Sequence, residues 1–174
     1  SYIRTEAAAV TRLADQLRFE GLANLGGTGS EQQGALVCDV LLPEYLAGIG
    51  GFFVDITDGG STGDRMYFHH HTNDAVRFVV NAGGGEQAVI SSTTHIADNI
   101  KHTIATRWKT NNIGSIVVDG TEEGSTDTSC TIPDELDRID VGSTLAFTYI
   151  LNGGLRNLRI YRRYQHSVKR LAGS

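Results

Sequence analysis

Short segments in which apolar and polar residues alternate, separated by glycine-containing turns, constrain this sequence more than any other feature. An apolar stripe with a period of 3.6 residues persists for three turns almost nowhere, so the sequence predicts strands rather than helices. The predicted strands are Leu13–Phe19, Ala35–Leu42, Phe52–Thr57, Arg65–His71, Ala75–Asn81, Gln87–Ser91, His102–Lys109, Ile113–Asp119, Arg138–Val141 and Leu155–Tyr161. A short helical turn is predicted at Ser167–Ala172.

Glycine-containing turns are expected between these strands. The sequence has 21 glycines but 2 prolines, and four clusters supply residues that accept a positive φ at little cost. These clusters are Asp58-Gly59-Gly60, Gly83-Gly84-Gly85, Asp119-Gly120 and Asn152-Gly153-Gly154.

Alternation within several strands predicts one buried and one solvent-facing side, as in a two-sheet sandwich. Trp108 alternates with apolar residues and is therefore expected in the core rather than in a site. The three sets expected to share a face are Phe52, Val54 and Ile56; Ile104, Thr106 and Trp108; and Leu158 and Ile160.

The hairpin between Arg65 and Asn81 allows a stronger prediction. Met66 and Phe68 form one apolar set, and Val76, Phe78 and Val80 form another. Directly opposed residues point to the same side of a sheet, so opposed residue numbers must have an even sum. This requires an odd-length loop, Thr72–Asp74. It also places four polar or aromatic side chains together on the outer face, namely Tyr67, His69, His71 and Arg77.

Composition excludes some partners. The formal net charge of −5 gives no basic field for nucleic acid, and no apolar run approaches the ~20 residues that span a membrane. We expect one domain over residues 1–174, and the serine at position 1 is compatible with a fragment of a longer protein. The two cysteines, Cys38 and Cys130, are expected to be buried thiols, with a structural disulfide as the alternative.

Six segments follow one another in order along nearly the whole chain: Ser1-Tyr2-Ile3-Arg4-Thr5, Ala9-Val10-Thr11-Arg12-Leu13-Ala14-Asp15, Ala105-Thr106-Arg107-Trp108, Gly114-Ser115-Ile116-Val117-Val118-Asp119-Gly120, Leu136-Asp137-Arg138-Ile139-Asp140-Val141-Gly142 and the stretch from Leu151 to Arg163. Together they resemble the concanavalin A-like, laminin G-like jelly-roll domains of phage tail and head fibres. The sequence departs from this pattern at Arg4, where the family favours proline, and at Asp119, where it has asparagine.

The resemblance implies an all-β, two-sheet antiparallel jelly-roll sandwich that is displayed on a virion, commonly as a trimer. It implies a non-catalytic module that recognises host-surface glycans and contacts other virion proteins. The alternative is a structural module that decorates a capsid or tail by binding neighbouring chains. The family also suggests calcium, and Asp55, Asp58 and Asp64 carry oxygen donors of the right kind, although turn aspartates need no metal.

Two residue sets are candidates for binding sugar, which typically contacts an aromatic face and a few fixed polar groups. The first is the outer set Tyr67, His69, His71 and Arg77. The second is Tyr161 with Arg159 and Arg163, whose positive charge would suit an acidic polysaccharide. Both sets have an alternative interpretation as ordinary solvated faces or subunit interfaces.

Two further chemistries are weaker alternatives. Glu135, Asp137 and Asp140 resemble the acidic motif of glucanases, but Asp140 lies an odd number of positions from the others and should face away. His69 and His71 share a strand face and could bind a metal together, but a complete site needs more ligands. We therefore expect no enzymatic activity.

Overall fold

A computed structural model of the chain describes residues 17–21, 32–44, 50–60, 62–110, 112–144 and 150–162. The predicted helical turn at Ser167–Ala172, residues 13–16 of the first predicted strand and Arg163 lie outside these ranges. The strands are β1 (Leu17–Phe19), β2 (Gln33–Leu41), β3 (Gly51–Thr57), β4 (Arg65–His70), β5 (Ala75–Ala82), β6 (Gly85–His95), β7 (Lys101–Lys109), β8 (Asn112–Ile113), β9 (Ile116–Val118), β10 (Thr121–Glu123), β11 (Arg138–Val141) and β12 (Gly154–Tyr161).

The strands form two antiparallel sheets. Sheet A has the order β1-β11-β3-β4-β5-β6, and sheet B has the order β10-β9-β7-β2-β12, with β8 paired to β7. These two sheets confirm the predicted all-β sandwich. No helix in the described ranges is long and apolar enough to cross a bilayer.

A single large core fills the space between the sheets. Sheet A contributes Phe68 and Phe78, and the ring of Phe78 stacks on Trp108 of sheet B with centroids 5.9 Å apart. Trp108 is fully buried, as its alternation with Ile104 and Thr106 predicted. Cys38 and Cys130 are both free thiols in this core, so the disulfide alternative is wrong.

One carboxylate joins the edges of the two sheets. Oε2 of Glu123, at the end of β10, accepts hydrogen bonds from the backbone N–H groups of Thr93 (2.6 Å) and Thr94 (2.8 Å) on β6. Both threonine hydroxyls also donate to this carboxylate. The contact closes the sandwich where β6 of sheet A faces β10 of sheet B.

The predicted hairpin register is confirmed. Met66 opposes Val80 and Phe68 opposes Phe78, and the strands are joined by the three-residue loop Thr72–Asp74. Asp74 has a φ of 64°, the left-handed conformation expected at the end of such a loop. Tyr67, His69, His71 and Arg77 consequently lie on the side of sheet A that faces away from the core.

Two predictions about turns and strands were wrong. The predicted strand Ile113–Asp119 is broken at Gly114, which packs so closely on Arg107 that a Cβ would lie 2.6 Å from its Cγ. β8 and β9 therefore pair with β7 in registers that differ by one residue. Gly153 has no positive φ; it is required because a Cβ would lie 2.8 Å from the carbonyl oxygen of Leu41.

The predicted shared face of Phe52, Val54 and Ile56 was also wrong. Phe52 opposes His69, but Val54 opposes Phe68, so Phe53 is an extra residue in β3. This bulge turns Phe53 into the core and Phe52 to the outer face of sheet A. A phenylalanine thereby joins the four residues that were predicted to lie there.

Candidate functional site

Four aromatic rings lie side by side on the outer face of sheet A, and we call them the ring platform: Phe52, Tyr67, His69 and His71. Phe52 stacks on Tyr67 with centroids 4.9 Å apart and contacts His69 at 5.2 Å. Tyr67 also contacts His69 at 5.2 Å. The rings of His69 and His71 meet edge to face at 5.8 Å. The pairing of β3 with β4 thus brings Phe52 beside the rings of β4 and forms one surface.

Arg65 extends this platform at one end. Its guanidinium carbon lies 4.3 Å from the centroid of the Tyr67 ring, within the range of a cation–π interaction. The same guanidinium lies 3.7 Å from the carboxylate of Asp55, which is fully buried beside it. The positive charge of Arg65 is therefore balanced by a neighbouring acid.

Arg77 lies beside the platform on β5, directly opposite His69 on β4 and Ser91 on β6. Its Nε is buried and has no hydrogen-bond partner among the residues that the structure describes. Within the platform, Nδ1 of His71 lies 2.8 Å from the side-chain oxygen of Asn73. This contact holds the His71 ring next to the hairpin loop.

The platform carries little charge of its own. Burial lowers the pKa of His69 to about 3, and the nearby His71 and Arg77 act in the same direction. Burial raises the pKa of Tyr67 above its usual value, against the opposing effect of Arg65. At neutral pH His69 is a neutral imidazole and Tyr67 a neutral phenol, and both donate and accept hydrogen bonds as sugar hydroxyls do.

The second predicted set lies elsewhere. Arg159 opposes Val37, and Tyr161 opposes Ala35, which places both on the outer face of sheet B. Tyr161 packs there against a small apolar cluster that includes Ala105 and Val117. The two predicted sets are therefore on opposite faces of the sandwich and do not form one site.

The predicted acidic motif is not arranged for hydrolysis. Glu135 is exposed in the loop before β11, whereas Asp140 is fully buried within the strand. Asp140 accepts hydrogen bonds from Arg18 Nε at 2.6 Å and from Arg138 Nε at 2.9 Å. Asp140 is thus engaged in ion pairs with two guanidinium groups, which indicates a structural role for this carboxylate.

The three aspartates considered as calcium ligands form other contacts in the structure. Asp58 accepts a hydrogen bond from the backbone N–H of Gly60, and Asp64 accepts one from Gly83 at 2.7 Å. Asp55 lies against Arg65, as described above. In the part of the chain that the structure describes, no three His, Cys, Asp or Glu side chains form a group that could hold a metal ion. Asp55, Asp58 and Asp64 therefore do not come together in one such group.

Sequence reasoning missed Phe52 and Arg65 as members of this surface. The bulge that turns Phe52 to the outer face leaves no mark in a pattern of alternation. Arg65 was available, because it lies two residues before Tyr67 and four before His69 on the same strand face.

Comparison with known proteins identifies the fold. Residues 51–163 match the family model described as the laminin G domain. No curated protein matches the chain in sequence. Among solved structures, a native heptameric SAP-like pentraxin from Limulus polyphemus aligns with a TM-score of 0.64 and 11% identity, covering 91% of this chain and 73% of the pentraxin.

Two further structures are similar. The CBM40 of the Ruminococcus gnavus IT-sialidase aligns with a TM-score of 0.65 and 14% identity, covering 91% of this chain and 99% of that chain. The same CBM40 is also known bound to α2,3-sialyllactose. The mouse laminin α1 chain, domains LG4-5, aligns with a TM-score of 0.56 and 19% identity, covering 87% of this chain and 44% of that chain. These similarities show the predicted concanavalin A-like jelly roll.

Proposed function

Because this chain belongs to the laminin G domain family, we propose that it is a non-catalytic module that binds glycans through the outer face of sheet A. The ring platform is the observation that carries this proposal. It offers adjacent apolar ring surfaces together with neutral polar groups, the combination that sugar rings and hydroxyls require. The CBM40 that aligns with this chain binds a sialyllactose, which supports the same class of ligand.

A glycan array with the purified chain tests this function. We expect specific binding by the wild type and its loss in the double variant Tyr67→Ala, Arg77→Ala. The matched control is Arg159→Ala, Tyr161→Ala on the opposite face, which should bind as the wild type does. Binding that survives the first pair and disappears with the second would assign the site to sheet B. Repeating the array with EDTA tests whether calcium contributes.

The proposed location of the module is the exposed surface of a phage particle, as one domain of a trimeric tail or head fibre that attaches to host-surface glycans. The support is the resemblance of its opening and closing segments to phage-fibre domains. Analytical ultracentrifugation of the purified chain should then give the mass of a trimer. Antibodies against the domain should label the fibres of the intact particle.

A structural role in particle assembly is the second candidate function. Leu17 and Phe19 are 51% and 47% exposed on β1, the edge strand of sheet A. Exposed apolar side chains on the outermost described strand of a sheet are suited to contact with a neighbouring chain. If assembly is the function, Leu17→Ser, Phe19→Ser will dissociate the oligomer, and no glycan will bind to either protein.

A further inference from the structure

Three buried polar atoms on the outer side of β4 and β5 have no hydrogen-bond partner among the described residues. They are Nε of Arg65, Nε of Arg77 and the side-chain oxygen of Asn81. Arg65 lies on β4, which also carries Tyr67 and His69 of the ring platform, and Arg77 and Asn81 lie on the neighbouring strand β5. Buried polar groups are rarely left without a partner, because an unpartnered buried group destabilises the fold. These three atoms lie beside the ring platform, where a bound ligand can supply the missing partners.

The two arginines differ in how their charges are balanced. Arg65 lies 3.7 Å from the buried carboxylate of Asp55 and above the ring of Tyr67. Arg77 forms no ion pair within the described part of the chain, although Arg18 and Arg138, on the same face, both bond to Asp140. Arg77 is therefore the cation on this surface whose charge the described residues leave unbalanced.

The position of Arg77 relates this charge to the platform. It directly opposes His69, and both side chains point to the outer side of the sheet. His69 is half-buried between Phe52, Tyr67 and His71. An acidic group bonded to Arg77 would thus belong to a sugar whose ring rests on the neighbouring rings.

We propose that the site selects an acidic saccharide, with Arg77 binding the carboxylate or sulfate group while the ring platform holds the sugar ring. This rests on the proposed glycan-binding function and adds the class of glycan. A guanidinium forms paired hydrogen bonds with a carboxylate or sulfate, which a neutral sugar cannot match. Arg77 is then the residue that determines specificity.

The test begins with the acidic and neutral members of a glycan array. The strongest acidic ligand is then titrated by calorimetry beside its carboxyl-reduced or desulfated form, which keeps the sugar ring and removes the charge. We expect the charged form to bind at least about tenfold more tightly to the wild type. Arg77→Gln should abolish this preference, and Arg77→Lys should restore part of it, because lysine keeps the charge but not the paired hydrogen bonds.

Arg156→Gln is the matched control, since it removes one exposed positive charge from β12 of sheet B; it should keep the preference unchanged. If the array ligands are neutral, or if Arg77→Gln binds the charged and reduced forms as the wild type does, the acidic specificity is overturned while glycan binding stands. If no glycan of either kind binds, both proposals fail. Circular dichroism of each variant verifies that it is folded.

Discussion

Phe52 and Tyr67 stack on the outer face of sheet A with ring centroids 4.9 Å apart, whereas the residue that follows Phe52 in sequence is fully buried in the core. Two consecutive phenylalanines therefore have different roles, and the bulge in β3 separates them. This difference can be measured.

Replacing each phenylalanine by alanine should produce two distinct phenotypes. Phe53→Ala leaves a cavity in the core and should lower the free energy of unfolding by about 3–5 kcal/mol. Phe52→Ala should cost less, because Phe52 lies outside the core cluster between the sheets, but it should weaken glycan binding. Urea unfolding and calorimetric titration measure the two quantities. Equal losses of stability, with binding unaffected by Phe52→Ala, would contradict the assignment of Phe52 to the platform.

The contact that Glu123 makes between the two sheets predicts that the free energy of unfolding decreases at acidic pH. Burial acts to raise the pKa of Glu123, but the hydrogen bonds from Thr94 and Thr93 outweigh it and lower this pKa in the folded state. The stabilisation is present above the unfolded pKa of about 4.5 and is lost as the pH falls through the folded value.

Glu123→Gln should therefore lower the free energy of unfolding by about 1–2 kcal/mol at pH 7. The difference from the wild type should shrink as the pH falls below 4.5, the usual value for this group. Urea denaturation at pH 7 and pH 3.5 measures it. The exposed Glu135, replaced in the same way, is the control and should change stability little. A pH-independent difference at position 123 would mean that the amide loses packing rather than a charged acceptor.

His102 predicts the opposite dependence on pH. Its Nδ1 lies 2.7 Å from Asp119, and its Nε2 lies 3.1 Å from Asp98. Burial acts to lower the pKa of His102, but the two carboxylates outweigh it and raise this pKa above its usual 6.5. The stabilisation is fully present below the unfolded pKa and is lost as the pH rises through the folded value.

The variant His102→Gln should be less stable than the wild type by about 1–2 kcal/mol at pH 5.5, with a smaller deficit at pH 9. NMR titration of the imidazole should give an apparent pKa above 6.5 in the wild type. Asp119→Asn should bring this pKa down. A value unchanged by that substitution would show that Asp119 does not hold the proton on His102.

Close packing around Gly34 predicts that any side chain at this position will destabilise the fold. A Cβ at this position would lie 2.7 Å from Cε2 of Trp108 and 2.8 Å from the carbonyl oxygen of Tyr161. Trp108 is fully buried and stacked on Phe78, so it cannot move aside. Gly34→Ala should lower the free energy of unfolding by about 1–3 kcal/mol.

Gly85→Ala is the matched control for that measurement. Gly85 has no positive φ, and an added Cβ would come no closer than 3.9 Å to another atom. This substitution should be neutral or slightly stabilising, because alanine restricts the unfolded chain. Similar losses in thermal unfolding at positions 34 and 85 would contradict the steric argument.

The sequence predicted the structural features that depend on residues close together in the chain. The loop Thr72–Asp74 followed from the parity of opposed positions in one hairpin, and the Asp119-Gly120 turn followed from residues that accept positive φ, which both adopt. Pairing such as that of β1 with β11 joins distant parts of the chain, and no local pattern encodes it.

The candidate site was predicted in part for the same reason. Tyr67, His69 and Arg77 share a hairpin, so their common face could be deduced. Tyr161 belongs to another sheet, and alternation gives the side of a strand without giving the sheet that the strand joins. Alternation with Val54 and Ile56 assigned Phe52 to the core. The extra residue in β3 reverses that assignment, and nothing in the sequence distinguishes Phe52 from Phe53.

The ring platform, with Arg65 and Arg77, comes entirely from residues 52–77, within the consecutive strands β3, β4 and β5. The strands that complete the sandwich on either side contribute none of these side chains. One short stretch of the gene therefore encodes the whole surface. Exchange of that stretch between related genes by recombination would transfer a ligand preference intact, while the rest of the chain continued to supply the scaffold.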